Sequence, residues 1–328
     1  MPSSIARLRF PFARVLLPRT KLAYVHLRNL LTDAKRDRTG RVFGYVAIWL
    51  SDEMLLLYMQ EGEVVNATTT RNGVEFRTLP IAEALAHVPP EPEFGEICFH
   101  EADDEQLACM HWAQTRRPDP WPSELEARDP RQLFPYLMAT TFDGMLQIVV
   151  DGSVNYLLFR DGAVVRGYLA EELHGTTLAE RAKPLFQHRL GRDALQIARW
   201  PVPPAVPIQA PTALIKSYAE LVGDVVARLV RAGSDGAPAV AESARLMLLD
   251  RHPVLASFAA DAKEGRGPAY TSPELTRGVA AWVAEVLWAT GGQAQIAPED
   301  LLRELAHGRR HVLQSAGFFD LLPWKVSW

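Results

Sequence analysis

Residues 44–65 and 144–165 repeat one pattern at a constant offset, 144 − 44 = 100 positions, without a gap between the two opening glycines. Gly44 opens the run Tyr45-Val46-Ala47-Ile48-Trp49-Leu50, Ser51-Asp52-Glu53 breaks it, and Met54-Leu55-Leu56-Leu57-Tyr58-Met59 follows before a turn at Glu61-Gly62. Gly144 opens Met145-Leu146-Gln147-Ile148-Val149-Val150, Asp151-Gly152-Ser153 breaks it, and Val154-Asn155-Tyr156-Leu157-Leu158-Phe159 precedes a turn at Asp161-Gly162. Short apolar runs bounded by acidic-Gly turn signals are the mark of buried strands joined as hairpins. The chain is therefore expected to use one β-unit twice. Gly44, Gly62, Gly144 and Gly162 are expected to be turn and close-approach positions, with no part in catalysis.

The likeness extends beyond the hairpins. The first copy reads as a helix over 21–35, a charged loop over 35–41, the hairpin, and a third strand over 63–70. A turn at Asn72-Gly73 follows, then a helix over 79–88 stopped by Pro89-Pro90, a strand over 96–100 and a helix over 103–114. The second reads as a helix over 130–138, the hairpin, a third strand over 164–169, a helix opened by Thr177-Leu178 as Thr78-Leu79 opens the first, and a strand over 194–199. Ile197 there stands at the offset of Ile97. Prolines mark two linkers, 118–129 and 201–211, the second extended by polyproline preference. Beyond it the apolar period turns helical, with Leu214, Tyr218, Leu221, Val225 and Leu229 on one face. The predicted fold class is α+β: two tandem repeats of a helix–β-meander–helix–strand module (22–117 and 130–200), then an all-α bundle (212–328). Residues 1–21 read as a basic N-terminal arm or strand, with Leu8, Phe10 and Phe12 alternating with Arg7, Arg9 and Pro11. The two modules are expected to pair as a pseudo-dimer, each sheet edge completing the other, because an open edge invites pairing.

Composition narrows the function classes. A hydrophobic share of 48% with 23% charged residues supports an ample core without disulfide or metal staples. The net charge of −4 speaks against a broad nucleic-acid surface. Two cysteines, Cys98 and Cys109, suit a reducing compartment, and no apolar run approaches the roughly 20 residues that span a bilayer. Cytoplasm is the expected location.

Few residues form chemical constellations. Cys98 and His100 share a strand face and are the candidate metal pair. Cys109 and His111 diverge on a helix, and the second copy has Ala198 and Trp200 where the first has Cys98 and His100. Buried cysteines with surface histidines are thus the expectation, and no metal or cofactor is predicted. His307 and His311 lack the glutamate of a metalloprotease motif, because Gly308 stands in its place. The acidic run Glu101-Ala102-Asp103-Asp104-Glu105 reads as a capped helix start. Asp250 and His252 precede a helix-stopping Pro253 without a nucleophile motif. The tail offers Phe318, Phe319, Leu322, Trp324 and Trp328 as candidate interaction residues, which either anchor a partner or close the bundle.

The stretch FGYVAIWLSDEMLLLYMQEGEVVNA, followed by a helix and the strand GEICF, resembles the PATAN-type domain of bacterial signalling proteins. The turn Leu57 to Ala67 matches the family's apolar-apolar-x-x-Gly-x-Val/Ile-x-x-Ala pattern, and the second copy keeps it with Gly167 in place of the alanine. The resemblance covers residues 20–200 and rests on turn and core positions. It implies a non-enzymatic adaptor that works by protein–protein contact, with a small GTPase or another signalling component as partner. The chain itself has no phosphate-cradling glycine motif. A homo-oligomer is compatible with this reading, and peripheral membrane contact is the less favoured one. The alternative is a small-ligand sensor with a pocket between the modules, lined by Trp49, Tyr58, Tyr156 and Phe159.

Overall fold

The two apolar runs become the central hairpins of two separate antiparallel sheets. The computed structural model describes residues 4–36, 42–171, 177–187, 195–259, 269–294 and 297–328. Its contacts divide into two compact units, Met1–Pro207 and Ile208–Trp328. In the first, the elements are β1 (Arg14–Lys21), α1 (Leu27–Arg36), β2 (Gly44–Trp49), β3 (Met54–Gln60), β4 (Glu63–Thr70), β5 (Phe76–Leu79), α2 (Ile81–Ala86), β6 (Glu96–Glu101) and α3 (Asp104–Thr115). They continue as α4 (Pro130–Ala139), β7 (Gly144–Val150), β8 (Ser153–Arg160), β9 (Ala163–Tyr168), α5 (Leu178–Gln187) and β10 (Leu195–Trp200). The larger sheet runs β1-β6-β2-β3-β4-β5 and the smaller β10-β7-β8-β9.

Register follows the hairpin turns. Tyr45 lies opposite Tyr58 and His100, and Met145 lies opposite Leu158 and Trp200. A bulge falls between Tyr58 and Met59 against β4, and another between Leu158 and Phe159 against β9. The turns that follow are left-handed at Glu61 (φ 52°) and Gly62 (φ 79°), and at Asp161 (φ 50°) and Gly162 (φ 75°).

Alternation along the strands sorts side chains into three apolar layers. Val46, Ile48, Leu55 and Leu57 face outward from the larger sheet, beneath half-buried side chains of α1 and α2. Leu146, Ile148, Leu157 and Phe159 face outward from the smaller one, beneath α4 and α5. The inner faces, with Ala47, Leu56 and Tyr58 from one sheet and Met145, Tyr156 and Leu158 from the other, share a single cluster with α3. This explains the middle of α3: Gln106, Leu107, Ala108, Cys109, Met110 and His111 are all buried, so that stretch has no solvent face. The two sheets thus meet face to face across a helix, and the expected edge-to-edge pairing does not form; a sheet with apolar side chains on both sides has more area to bury by stacking than by edge contact.

The N-terminal segment is divided between a strap and a strand. Strand pairing begins only at Arg14, and residues before it form a strap. Ile5, Leu8 and Phe10 are buried in the inner layer, Trp49 Nε1 donates to Ile5 O (3.1 Å), and Arg9 exchanges backbone bonds with Gly152 and Val154. The helix expected over 21–35 starts at Leu27, after a single 3-10 turn, and an unforeseen strand, β5, precedes α2. The proline stretches do not hang free either. Asp119 pairs with Arg199 along the outer edge of β10, and Trp121 Nε1 donates to Ile197 O (3.1 Å). Val206 is buried in the inner layer, and Asn66 Nδ2 donates to Pro207 O (2.7 Å).

The second unit is helical: α6 (Thr212–Arg231), α7 (Ala237–Leu248), α8 (Ser272–Ala294), α9 (Pro298–Ala306) and α10 (Arg310–Ser315). Its core joins Leu221, Val225 and Leu229 to Val279, Val283 and Leu302. Two buried polar tips bridge its helices: Tyr218 Oη donates to Thr276 Oγ1 (2.8 Å), and Trp282 Nε1 to Ala241 O (2.7 Å). Arg245, 5% exposed, meets Glu242 and Leu255 O. Among the described residues no helix is long and apolar enough to cross a membrane.

Candidate functional site

The four marked glycines are explained by crowding. A Cβ on Gly62 would fall inside van der Waals distance of Ala34 O, at the end of α1, and one on Gly162 would lie 2.6 Å from Met138 Cα, at the end of α4. Each glycine N–H also closes the loop before its hairpin, to Val42 O (2.8 Å) and Phe142 O (3.0 Å). Gly44 and Gly144 abut the carbonyls of His100 and Trp200 on the neighbouring strands. All four serve packing.

The candidate metal pair is committed elsewhere. Cys98 is 1% exposed in the inner layer, and burial pushes its thiol up to about 12. His100 Nδ1 lies 2.8 Å from Tyr45 Oη, which also donates toward Phe10 and Pro11 carbonyls at the end of the strap. Burial holds His100 down to about 4. Cys109 is fully buried on α3 with its thiol raised, also by burial. Among the described residues no three His, Cys, Asp or Glu side chains are grouped to hold a metal ion.

His111 corrects the expectation of a surface histidine. It is 6% exposed, its ring stands edge-on to Tyr58 (5.3 Å), and its Nε2 has no partner. Burial, with Arg116 adding to it, lowers its pKa to about 4. Beside it Gln114 Oε1 accepts from Tyr58 Oη and Thr68 Oγ1 (2.7 Å each), while Gln114 Nε2 is unpartnered. The residues proposed to line a sensor pocket are instead divided between layers. Trp49, Tyr58 and Tyr156 are packed in the inner core around α3, and Phe159 is on the opposite face of its sheet, against Phe134 and Phe142. α3 packs with the inner faces of both sheets.

The acidic run is absorbed residue by residue. Asp103 caps α3 by accepting from Gln106 N (2.7 Å), Asp104 accepts from Gln60 Nε2 (3.1 Å), and Glu101 pairs with Arg14 (2.7 Å). Glu105 meets Arg166 (2.8 Å), and Tyr168 Oη lies within 3.1 Å of both Asp103 and Glu105, which joins β9 to the start of α3. Lys35 pairs with Glu63 (2.5 Å); the rest of the charged loop, 37–41, lies outside the described residues. His307 and His311 are exposed and fall on different elements, a 3-10 turn and α10.

In the helical unit the tail folds back on its own core. Phe318 is fully buried against Tyr218 (5.6 Å) and Leu322 is 9% exposed, so neither is free to meet a partner. Phe319 and Trp324 are half-buried. Trp324 stacks edge-on with Trp288 (5.6 Å), and Arg310 sits 4.5 Å over the ring of Trp328. What remains in solvent is an aromatic and apolar patch, with Trp288 59%, Leu321 47% and Trp328 41% exposed.

Two features of the larger sheet's outer side escaped the sequence. Glu53, 7% exposed, accepts from Thr69 Oγ1 (3.0 Å) and meets His87 Nδ1 (2.8 Å). Between α1 and α2 runs an open groove of about 790 Å³, floored by Leu22 and Val64 and walled by Val25, Leu31, Ile81 and Leu85. No periodicity marks such a groove; it arises because two short helices cross one sheet face without meeting. Comparison with protein-family models, with curated proteins and with solved structures finds no match.

Proposed function

We propose that this chain is a cytoplasmic, non-enzymatic regulatory adaptor of bacterial signalling, as its resemblance to PATAN-type domains implies. It is read as two copies of one helix–β-meander–helix–strand module, residues 22–117 and 130–200, followed by a helical domain. Register, bulge, left-handed turn and glycine crowding recur at the same offset of 100, which supports duplication of a whole unit over chance likeness of two hairpins. The reading of function is carried by the exposed patch of Trp288, Leu321 and Trp328 on the helical unit. Tryptophan held at half exposure beside a stacked neighbour is the residue type that anchors protein interfaces. Several titratable side chains of the first unit support the same reading, because Tyr45, His100, Asp103, Glu105 and Glu53 are engaged in contacts between its elements.

A photo-crosslinking side chain placed at Trp288 or Leu321, in the native cell, tests the adaptor. The expected result is a discrete adduct to another protein, lost when Trp328 is replaced by aspartate. The same probe at exposed Asp235 serves as control. Adducts no different from the control would sink the proposal.

A further inference from the structure

We propose that Ile208 is the swivel between the two units, and that the proline stretch before it is a fixed part of the first unit rather than a spacer. Two sets of contacts, one in each unit, leave this residue alone between them.

The first unit holds the chain as far as Pro207. Where β10 ends, Asp119 N donates to Arg199 O (2.8 Å) and Trp200 Nε1 donates to Arg116 O (3.0 Å). Val206, 4% exposed, is then buried in the inner layer, and Asn66 Nδ2 on β4 fixes Pro207 O (2.7 Å). A stretch pinned at both ends and stiffened by Pro201, Pro203, Pro204 and Pro207 has little freedom of its own. The second unit takes hold immediately after Ile208. Gln209 pairs with Thr271 in an antiparallel bridge, and Ala210 N donates to Tyr270 O (2.7 Å), just ahead of α6. The boundary between the compact units falls at the same place, after Pro207.

Between these moorings stands Ile208, 58% exposed. Its surroundings are restricted by proline rings: Pro207 has a fixed φ, and Ala210 precedes Pro211, which disfavours helical backbone angles there. The torsions left to turn one unit against the other are ψ of Pro207, both of Ile208 and φ of Gln209. A free proline-rich linker would let the helical unit trail at a distance. A one-residue joint lets it pivot and keeps its tether short.

Pulsed electron resonance between two spin labels, one in each unit of the full chain, tests this. Arg131→Cys on α4 and Ala219→Cys on α6 give exposed attachment points, while the native Cys98 and Cys109 are buried. On this background Ile208→Pro locks φ at the joint and is expected to narrow the distribution of distances. Val206→Ser with Asn66→Ala releases the proline stretch and should widen the distribution about threefold, because reach grows as the square root of the free length, from one residue to about eight. A Gly-Ser insertion of equal length after Ile208 disturbs neither core and should widen it by a similar factor. The amide of Ala210 should stay protected from hydrogen exchange throughout, which shows that the second mooring is intact. A wild type already as broad as the insertion overturns the proposal, since the proline stretch is then free. So does a distribution that Ile208→Pro fails to narrow or the insertion fails to widen.

Discussion

Replacing His111 by phenylalanine should make the protein less sensitive to acid. The histidine is 6% exposed between the sheets, edge-on to Tyr58, with Nε2 unpartnered. Its pKa is lowered from 6.5 to about 4, first by burial and then by Arg116. A folded-state pKa below the unfolded one means that, between the two values, the unfolded chain binds more protons. The contribution of neutral His111 is therefore fully present above about pH 6.5 and is lost as the pH falls towards 4. Linkage puts the loss at about 2 kcal/mol near pH 5 and about 3 kcal/mol near pH 4. Phenylalanine keeps the edge-on ring contact and removes the unpaired nitrogen, so neutral-pH stability should stay within about 1 kcal/mol of the wild type. Urea unfolding followed by tryptophan fluorescence, at about pH 7.5 and about pH 5, measures both quantities. His100, also held near 4, titrates in both proteins and cancels in the comparison. If wild type and variant lose the same stability on acidification, His111 is not buried in its neutral form and the packing of α3 described above is wrong.

Gly62→Ala and Gly162→Ala should each cost about 2–4 kcal/mol, because strain at positive φ is added to collision with the end of α1 or α4. Gly233→Ala, at φ 94° with nothing near its Cβ, should cost only the strain, about 1–2 kcal/mol, as read by the same unfolding assay. Phe318→Ala should destabilise the helical unit by about 3–5 kcal/mol, whereas Trp328→Ala, at 41% exposure, should shift the thermal transition far less. Cys98 and Cys109, both buried with raised thiols, should react with a chromogenic disulfide reagent only at the rate of unfolding and immediately in denaturant. Prompt reaction of either in the native protein would contradict their burial.

The sequence by itself determined the local pieces. The hairpins at Gly44 and Gly144 were legible because a buried strand bounded by an acidic-Gly turn is a short-range pattern. The capping role of Asp103 was legible for the same reason, since a cap and its N–H are three residues apart. Tertiary structure alone decided which surfaces meet. The two sheets stack through α3 instead of joining edges because their strands are apolar on both faces, and nothing in a strand's own sequence names the layer it will touch. The same contacts buried His111, divided Trp49 and Tyr58 from Phe159, and drew Phe318 and Leu322 out of the candidate interaction set. They also left the groove between α1 and α2, a shape set by where two short helices fail to meet. Local chemistry fixes strands, turns and caps; burial is a property of neighbours distant in the chain, and it settles which side chains remain for a partner.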